Sequence, residues 1–277
     1  MNRPQPPASI EDVEFHLLLE AIHAKYHYDF RGYALASLKR RLLQARQRFG
    51  CATFSQLQHQ VLHDPGLFPQ LLSFLTVQVS DLFRDPDYFR ALRERVAPVL
   101  KTYPSLKVWV AGCSTGEELY SLAILFREEG LESRTLFYGT DINAEALQKA
   151  AAGVYGLDRI PLFTLNHQRS GGRGSLSQYY TAAYGAAVLD KSLRDHVVFS
   201  DHSLVSDAVF AEVQLVSCRN VLIYFDRPLQ DRAVGLFRDA LVRRGFLGLG
   251  AKETLRFSQH QDGFNEFSRE DRLYQKR

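Results

Sequence analysis

The alternation of apolar and polar residues changes its period once along this chain, near Leu106. Ahead of that point the spacing is helical. The run Val13 to Tyr26 repeats apolar residues every three or four positions, and Tyr33 to Phe49 sets Leu35, Leu38, Leu42, Ala45 and Phe49 on one stripe. Nothing up to about Phe83 reads as a strand, and Pro86 to Leu100 adds another helical run. From Leu106 onward short apolar segments take over. LKVWVAG is followed by small polar residues and then by the amphipathic stretch Glu117 to Glu128, which predicts strand, turn and helix. TLFYGTDIN starts the same unit again, with Asn143 placed to cap a helix over Ala144 to Ala152. VQLVSCRN supplies a further strand, Pro228 to Arg243 a helix opened by proline, and GFLGLG the next strand. Strands alternating with helices predict an α/β domain with a parallel sheet covered on both faces.

One stretch departs from the alternation. Between Gln168 and Asp195 the chain carries SGGRGS, a tyrosine pair and the β-prone AAVLDKSL, which predicts a loop leading into a small antiparallel insertion. The expected division is a helical domain with its linker over residues 1–85 and an α/β domain over 86–277, the insertion occupying about 168–200.

Composition narrows the class. With 277 residues and 45% hydrophobic content the chain can build a substantial core. No run approaches the roughly 18 apolar residues of a membrane span, and MNRPQPPASIEDVE has no apolar signal core, so a cytoplasmic protein without membrane insertion is expected. Cys51, Cys113 and Cys218 are odd in number and lack zinc spacing, so no metal and no disulfide is assigned to them. A net charge of +3 leaves any basic surface to local clustering. No feature demands a dimer, and a monomer is expected.

Three segments carry candidate chemistry. In VAGCSTGEE, Gly112 and Gly116 lie between a strand and a helix, where close backbone approach and free helix N–H groups suit a ligand. The dinucleotide spacing GxGxxG is absent, and any strand-to-helix turn favours glycine. Glu117 and Glu118 follow at once. They suit the helix dipole, but they would repel a pyrophosphate, which disfavours ATP and NAD and favours a cationic or hydroxyl-bearing cofactor. Asp141 ends the second strand, where an acid accepts ribose hydroxyls or simply caps a turn. In SCRNVLIYF, Arg219 and Asn220 end a third strand on the same ligand-binding edge.

Taken together, VWVAGCSTGEELYSLA, GTDIN with the following AL.KA..GVY, and SCRNVLIYFD resemble the signature segments of the CheR family of chemotaxis-receptor methyltransferases. VSDLFRDPDYF resembles that family's linking segment, and SQYY with LRDHVVF its inserted β-subdomain. The resemblance implies a Rossmann-like class I methyltransferase domain preceded by an all-helical domain. It implies an enzyme that uses S-adenosylmethionine to esterify glutamates of a chemoreceptor or related signalling protein, with S-adenosylhomocysteine as product. Carried over, Gln78, Ser80, Arg84, Gly112, Glu117, Asp141, Ser203, Leu204, Asn220 and Val221 line the cofactor pocket, while Arg84 and Tyr224 sit near the transferable methyl. The basic helix bearing Lys39, Arg40, Arg41, Arg46 and Arg48, all off the apolar stripe, would then face the acidic substrate.

The chain departs from the family's usual pattern at Gln78, Ser80, Ser203 and, in GAKETLRF, at Lys252. These departures keep open a non-catalytic cofactor-sensing or receptor-binding module. An RNA methyltransferase is the other alternative, although no base-stacking aromatic platform is evident and nucleic acid is not the expected partner.

Overall fold

In the computed structural model, which describes residues 9–277, the chain forms two compact units. The first runs to Val77 and includes the return segment Tyr224–Leu229; the second comprises Gln78–Ile223 and Gln230–Arg277. Residues 78–85 therefore cluster with the α/β unit and not with the helices.

The first unit is built from α1 (Ile10–Tyr26), α2 (Leu35–Arg48), α3 (Phe54–His63) and α4 (Leu67–Leu75). Ser9 and Thr53 cap α1 and α3 by accepting the N–H groups of Asp12 and Gln56. The stripe predicted on α2 buries Leu38, Leu42 and Ala45 completely, whereas Leu35 at the helix start is 41% exposed. These side chains pack with Leu18, Ile22, Leu57 and Leu71 into an all-apolar core. The return segment lies antiparallel to residues 32–34: Ala34 donates its N–H to the Tyr224 carbonyl at 2.8 Å and Asp226 donates to the Gly32 carbonyl at 2.8 Å.

The second unit opens with α5 (Pro86–Ala91), a π-helical turn at Leu92–Val96 and α6 (Ala97–Leu100). Then come β1 (Leu106–Ala111), α7 (Glu117–Glu128), β2 (Thr135–Asp141) and α8 (Ala144–Ala152), with the boundaries the pattern predicts. β3 (Val154–Gly156), α9 (Ile160–Arg169), β4 (Tyr180–Ala183) and β5 (Ala186–Leu189) follow, and β6 (Val197–Asp201), β7 (Val213–Cys218), α10 (Arg227–Ala240), β8 (Leu241–Leu249), β9 (Phe264–Ser268) and β10 (Leu273–Lys276) complete the chain. The main sheet has the order β6-β2-β1-β7-β8-β10-β9, parallel from β6 through β8, with β10 antiparallel to both its neighbours. The strand order reverses at β1, so the crevice outside β1 and β7 is the place for a ligand. Both faces are covered, and β1 is buried at every position but Lys107.

The small sheet has the order β3-β5-β4, antiparallel throughout. Its extent differs from the expected 168–200. β3 is recruited from ahead of that range, while β6, inside it, pairs with β2 in the main sheet. The helix expected to reach Arg243 ends at Ala240, because Leu241 already pairs with Val213 of β7.

Candidate active site

The carboxyl edge of the parallel strands gathers most of the cofactor-pocket residues inferred from the sequence. Register sets Ala111 of β1 beside Thr140 of β2, so the turn leaving β1 starts level with Asp141. Gly112 and Cys113 both donate their N–H groups to the Thr140 carbonyl, at 2.8 and 2.9 Å. Asp141 closes the turn: Oδ2 accepts the Ser114 N–H at 2.9 Å and Oδ1 accepts that of Asn143 at 2.9 Å. Burial pushes the Asp141 carboxyl above its ordinary range, although these backbone donors oppose the shift.

The two glycines answer different constraints. Gly112 has φ +71°, and a Cβ there would lie 2.5 Å from Val221 Cγ2, so the loop after β7 approaches the turn only because the side chain is missing. Gly116, the N-cap of α7 at φ +93°, would place a Cβ 2.9 Å from that of Ala150. It serves the packing of α7 on α8.

Glu117 and Glu118 begin α7, and each is claimed by a different arginine. Glu117 is 1% exposed; its Oε1 accepts from Arg159 Nη1 at 2.8 Å and its Oε2 from the Thr115 hydroxyl at 2.7 Å. Glu118 accepts from Arg219 Nη1 at 3.3 Å and from the Ser217 hydroxyl at 2.6 Å. Both arginines also hold the linking segment. Arg159 Nη2 meets Asp81 at 3.1 Å and donates to the Ser80 carbonyl. Arg219 Nη2 meets Asp85 at 2.7 Å and donates to the Arg84 carbonyl at 3.0 Å. The Ser114 hydroxyl donates to Gln78. Residues 78–85 are thereby laid along the glycine turn, bringing Gln78, Ser80 and Arg84 to the edge that carries Glu117 and Asp141. Arg84 is half-buried and donates to the Val79 carbonyl at 3.0 Å.

The remaining strand ends complete the edge. After β6, Ser203 caps its own loop, accepting the N–H groups of Val205 and Ser206 at 3.2 and 3.3 Å, and Leu204 is buried. After β7, Asn220 takes a left-handed φ of 61°. Its N–H reaches Glu253 Oε2 at 3.0 Å, and the same oxygen accepts the Gly250 N–H at 2.6 Å. Glu253 is buried, and burial raises its carboxyl. Lys252, singled out in the sequence, is exposed. Its neighbour Glu253 binds the loops after β7 and β8 together. Neither Glu253 nor Arg159 was flagged by the sequence reasoning; the only signal for Glu253 was an acid three residues past a glycine that follows a strand.

Tyr224 belongs to the return segment of the helical unit, where the Arg41 guanidinium lies 5.1 Å from its ring centre. Arg41 itself requires a correction. It was expected to face solvent or a partner, but it is buried and donates to the Leu75 and Ser37 carbonyls. Standing three residues after Leu38 and four before Ala45, it falls on the buried face of α2. Lys39 pairs with Glu11 and Asp12 at 2.9 and 2.7 Å, and Arg46 with Glu11 at 3.3 Å. Arg40 and Arg48 are exposed.

A glycine cradle flanked by two buried carboxylates fits a cationic, ribose-bearing ligand and opposes a pyrophosphate. Among the described residues no His, Cys, Asp and Glu group could hold a metal ion, and no helix is long and apolar enough to cross a membrane. Sheet order, turn and edge acids define a methyltransferase-type α/β domain. Residues 78–272 match the SAM binding domain of the CheR methyltransferases, and residues 13–76 match their all-alpha domain. The chain belongs to the CheR methyltransferase family and is an S-adenosylmethionine-dependent methyltransferase. A Pseudomonas putida protein named Cher3 is 56% identical over 265 residues, spanning 96% of this chain and 97% of that protein. Chemotaxis protein methyltransferases of Listeria innocua and Salmonella typhimurium are 29% and 26% identical, spanning 82% and 95% of this chain and 84% and 88% of theirs.

Proposed function

We propose that this enzyme transfers the methyl group of S-adenosylmethionine to glutamate carboxylates of a chemoreceptor or related signalling protein, giving methyl esters and S-adenosylhomocysteine. The observation that carries the reading is the seating of Arg84: its segment is fastened at both ends beside the cofactor turn, so a guanidinium stands at an edge otherwise lined by acids. The names of the Listeria and Salmonella relatives support the substrate class.

The cofactor supplies a sulfonium methyl that is already activated. A glutamate side chain is already ionised near neutral pH, so the protein must align and desolvate it and needs no strong base. Arg84 pairs with the incoming carboxylate in a fork geometry, and Tyr224 holds the acceptor in line. Glu117 and Asp141 hold the cofactor, with Gln78, Ser80, Gly112, Ser203, Leu204, Asn220 and Val221 lining its pocket. Arg40 and Arg48, the exposed members of the basic set on α2, attract the acidic substrate, with Lys39, Arg41 and Arg46 behind them.

The test is methyl transfer to isolated receptor cytoplasmic domains, scored as base-labile methanol release. Wild type should yield methanol and Arg84→Ala almost none. Base-stable methylation of RNA would reject the ester chemistry, and cofactor binding without any transfer would favour the sensing module.

A further inference from the structure

We propose that Arg159 is a positioning residue of the cofactor pocket, acting through Glu117; the proposal rests on the assignment of Glu117 to that pocket. Arg159 lies in the short turn Leu157–Arg159 that leads into α9, away from every segment whose motif suggested chemistry. Its guanidinium nevertheless reaches the centre of the site. One nitrogen pairs with Glu117 at 2.8 Å, and the other with Asp81 at 3.1 Å and with the Ser80 carbonyl. The plane is fixed from behind, where the guanidinium carbon lies 4.6 Å from the ring centre of Phe163 and 5.7 Å from that of Tyr155. Tyr155 in turn donates its hydroxyl to the Thr115 carbonyl at 2.8 Å, tying the same support to the glycine turn.

The geometry assigns Arg159 two tasks at once. It fixes the rotamer of Glu117 by occupying one carboxylate oxygen while Thr115 occupies the other, and it sets Ser80 and Asp81 at a fixed distance from that carboxylate. Without it, a side chain that is 1% exposed would keep one hydroxyl partner for its full negative charge. The site selects arginine because three acceptors on two segments must be met by one planar fork, whereas a lysine ammonium on the same stem reaches them one at a time.

The experiment is titration calorimetry of the full chain with S-adenosylhomocysteine, with a thermal scan of every variant to confirm folding. Wild type and Glu117→Gln come first: absence of binding by wild type, or full affinity in Glu117→Gln, would sink the pocket assignment itself. Given a loss in Glu117→Gln, Arg159→Gln should weaken binding roughly tenfold, the scale expected when a buried charged group loses a partner. Arg159→Lys should recover part of that loss. In the Glu117→Gln background, Arg159→Gln should add less than about twofold, since it acts through the missing carboxylate. Full affinity in Arg159→Gln, or an undiminished tenfold loss in the double variant, would overturn the proposal while leaving the pocket intact. If Arg159→Gln fails to fold, Arg159→Lys decides alone: a partial loss in the wild-type background that vanishes beside Glu117→Gln supports the assignment, and any other result opposes it.

Discussion

Helix α7 carries a pair of adjacent acids at each end, and the two pairs are held in different ways. Glu117 and Glu118 start the helix with one arginine each, Arg159 at 2.8 Å and Arg219 at 3.3 Å. Glu128 and Glu129 finish it, where the helix dipole opposes a negative charge. That pair is surrounded by Arg93 at 2.6 and 3.0 Å, Lys101 at 3.0 Å and Arg173 at 2.9 Å, with the His167 imidazole at 2.8 Å. Burial works against ionisation of Glu128 and Glu129, but these donors outweigh it and hold both carboxyls below their ordinary range. Across the sheet edge, Asp141 and Glu253 are buried with backbone donors only, and burial raises them. The contrast separates acids that fasten the fold from acids whose ionised form the fold leaves under-compensated, and the second kind sits where a cationic ligand belongs.

The largest effect that could break this comparison is at the C-terminal pair. Arg93→Ala strips the shared partner from two carboxylates that are 2% and 4% exposed and should cost about 3–5 kcal/mol of stability. Urea unfolding measures it, and the folded variant should bind S-adenosylhomocysteine as wild type does. Next comes Gly112→Ala. A left-handed residue with a Cβ 2.5 Å from Val221 should cost about 1–3 kcal/mol and also weaken cofactor binding, so a variant of full affinity would remove the turn from the pocket. The pH response is smaller. Because the folded values of Glu128 and Glu129 are lowered, their contribution to stability is present above the ordinary carboxylate range and is lost as pH falls through the folded values. Asp141 and Glu253, raised by burial, act in the opposite sense, gaining stability as pH falls through their folded values. Glu128→Gln should therefore flatten the acid limb of the stability profile, followed by circular dichroism. The smallest effect belongs to the exposed cations: Arg40→Glu with Arg48→Glu should change stability by less than about 0.5 kcal/mol and leave S-adenosylhomocysteine binding unchanged, while slowing methylation of an acidic receptor domain.

Much of this was legible in the sequence where local and global signals agree. The period change near Leu106, the glycine turn and the Asn143 cap each fixed an element to the residue, because side-chain capping and backbone freedom are local properties; Asn143 does accept the Ala146 N–H at 3.1 Å. Elements decided by partners elsewhere were not legible. β3 is three residues long and exists through its pairing with β5. β6 joined the main sheet because Asp141 and Asp201 lie in register, not because its own residues distinguish it from the insertion. Arg41 counted as a surface charge until Leu75 supplied a carbonyl for it. Arg159 and Glu253 lie outside the quoted motifs, and their roles depend on segments 42 and 33 positions away in the chain.

The most direct test of the division within α7 is a paired measurement on Glu117→Gln and Glu128→Gln: calorimetric affinity for S-adenosylhomocysteine beside the midpoint of thermal unfolding. The expected result is crossed. Glu117→Gln should lose roughly ten- to a hundredfold in affinity with its midpoint shifted by only a few degrees, while Glu128→Gln should keep its affinity and unfold at a clearly lower temperature. Loss of affinity in Glu128→Gln with none in Glu117→Gln would contradict the account.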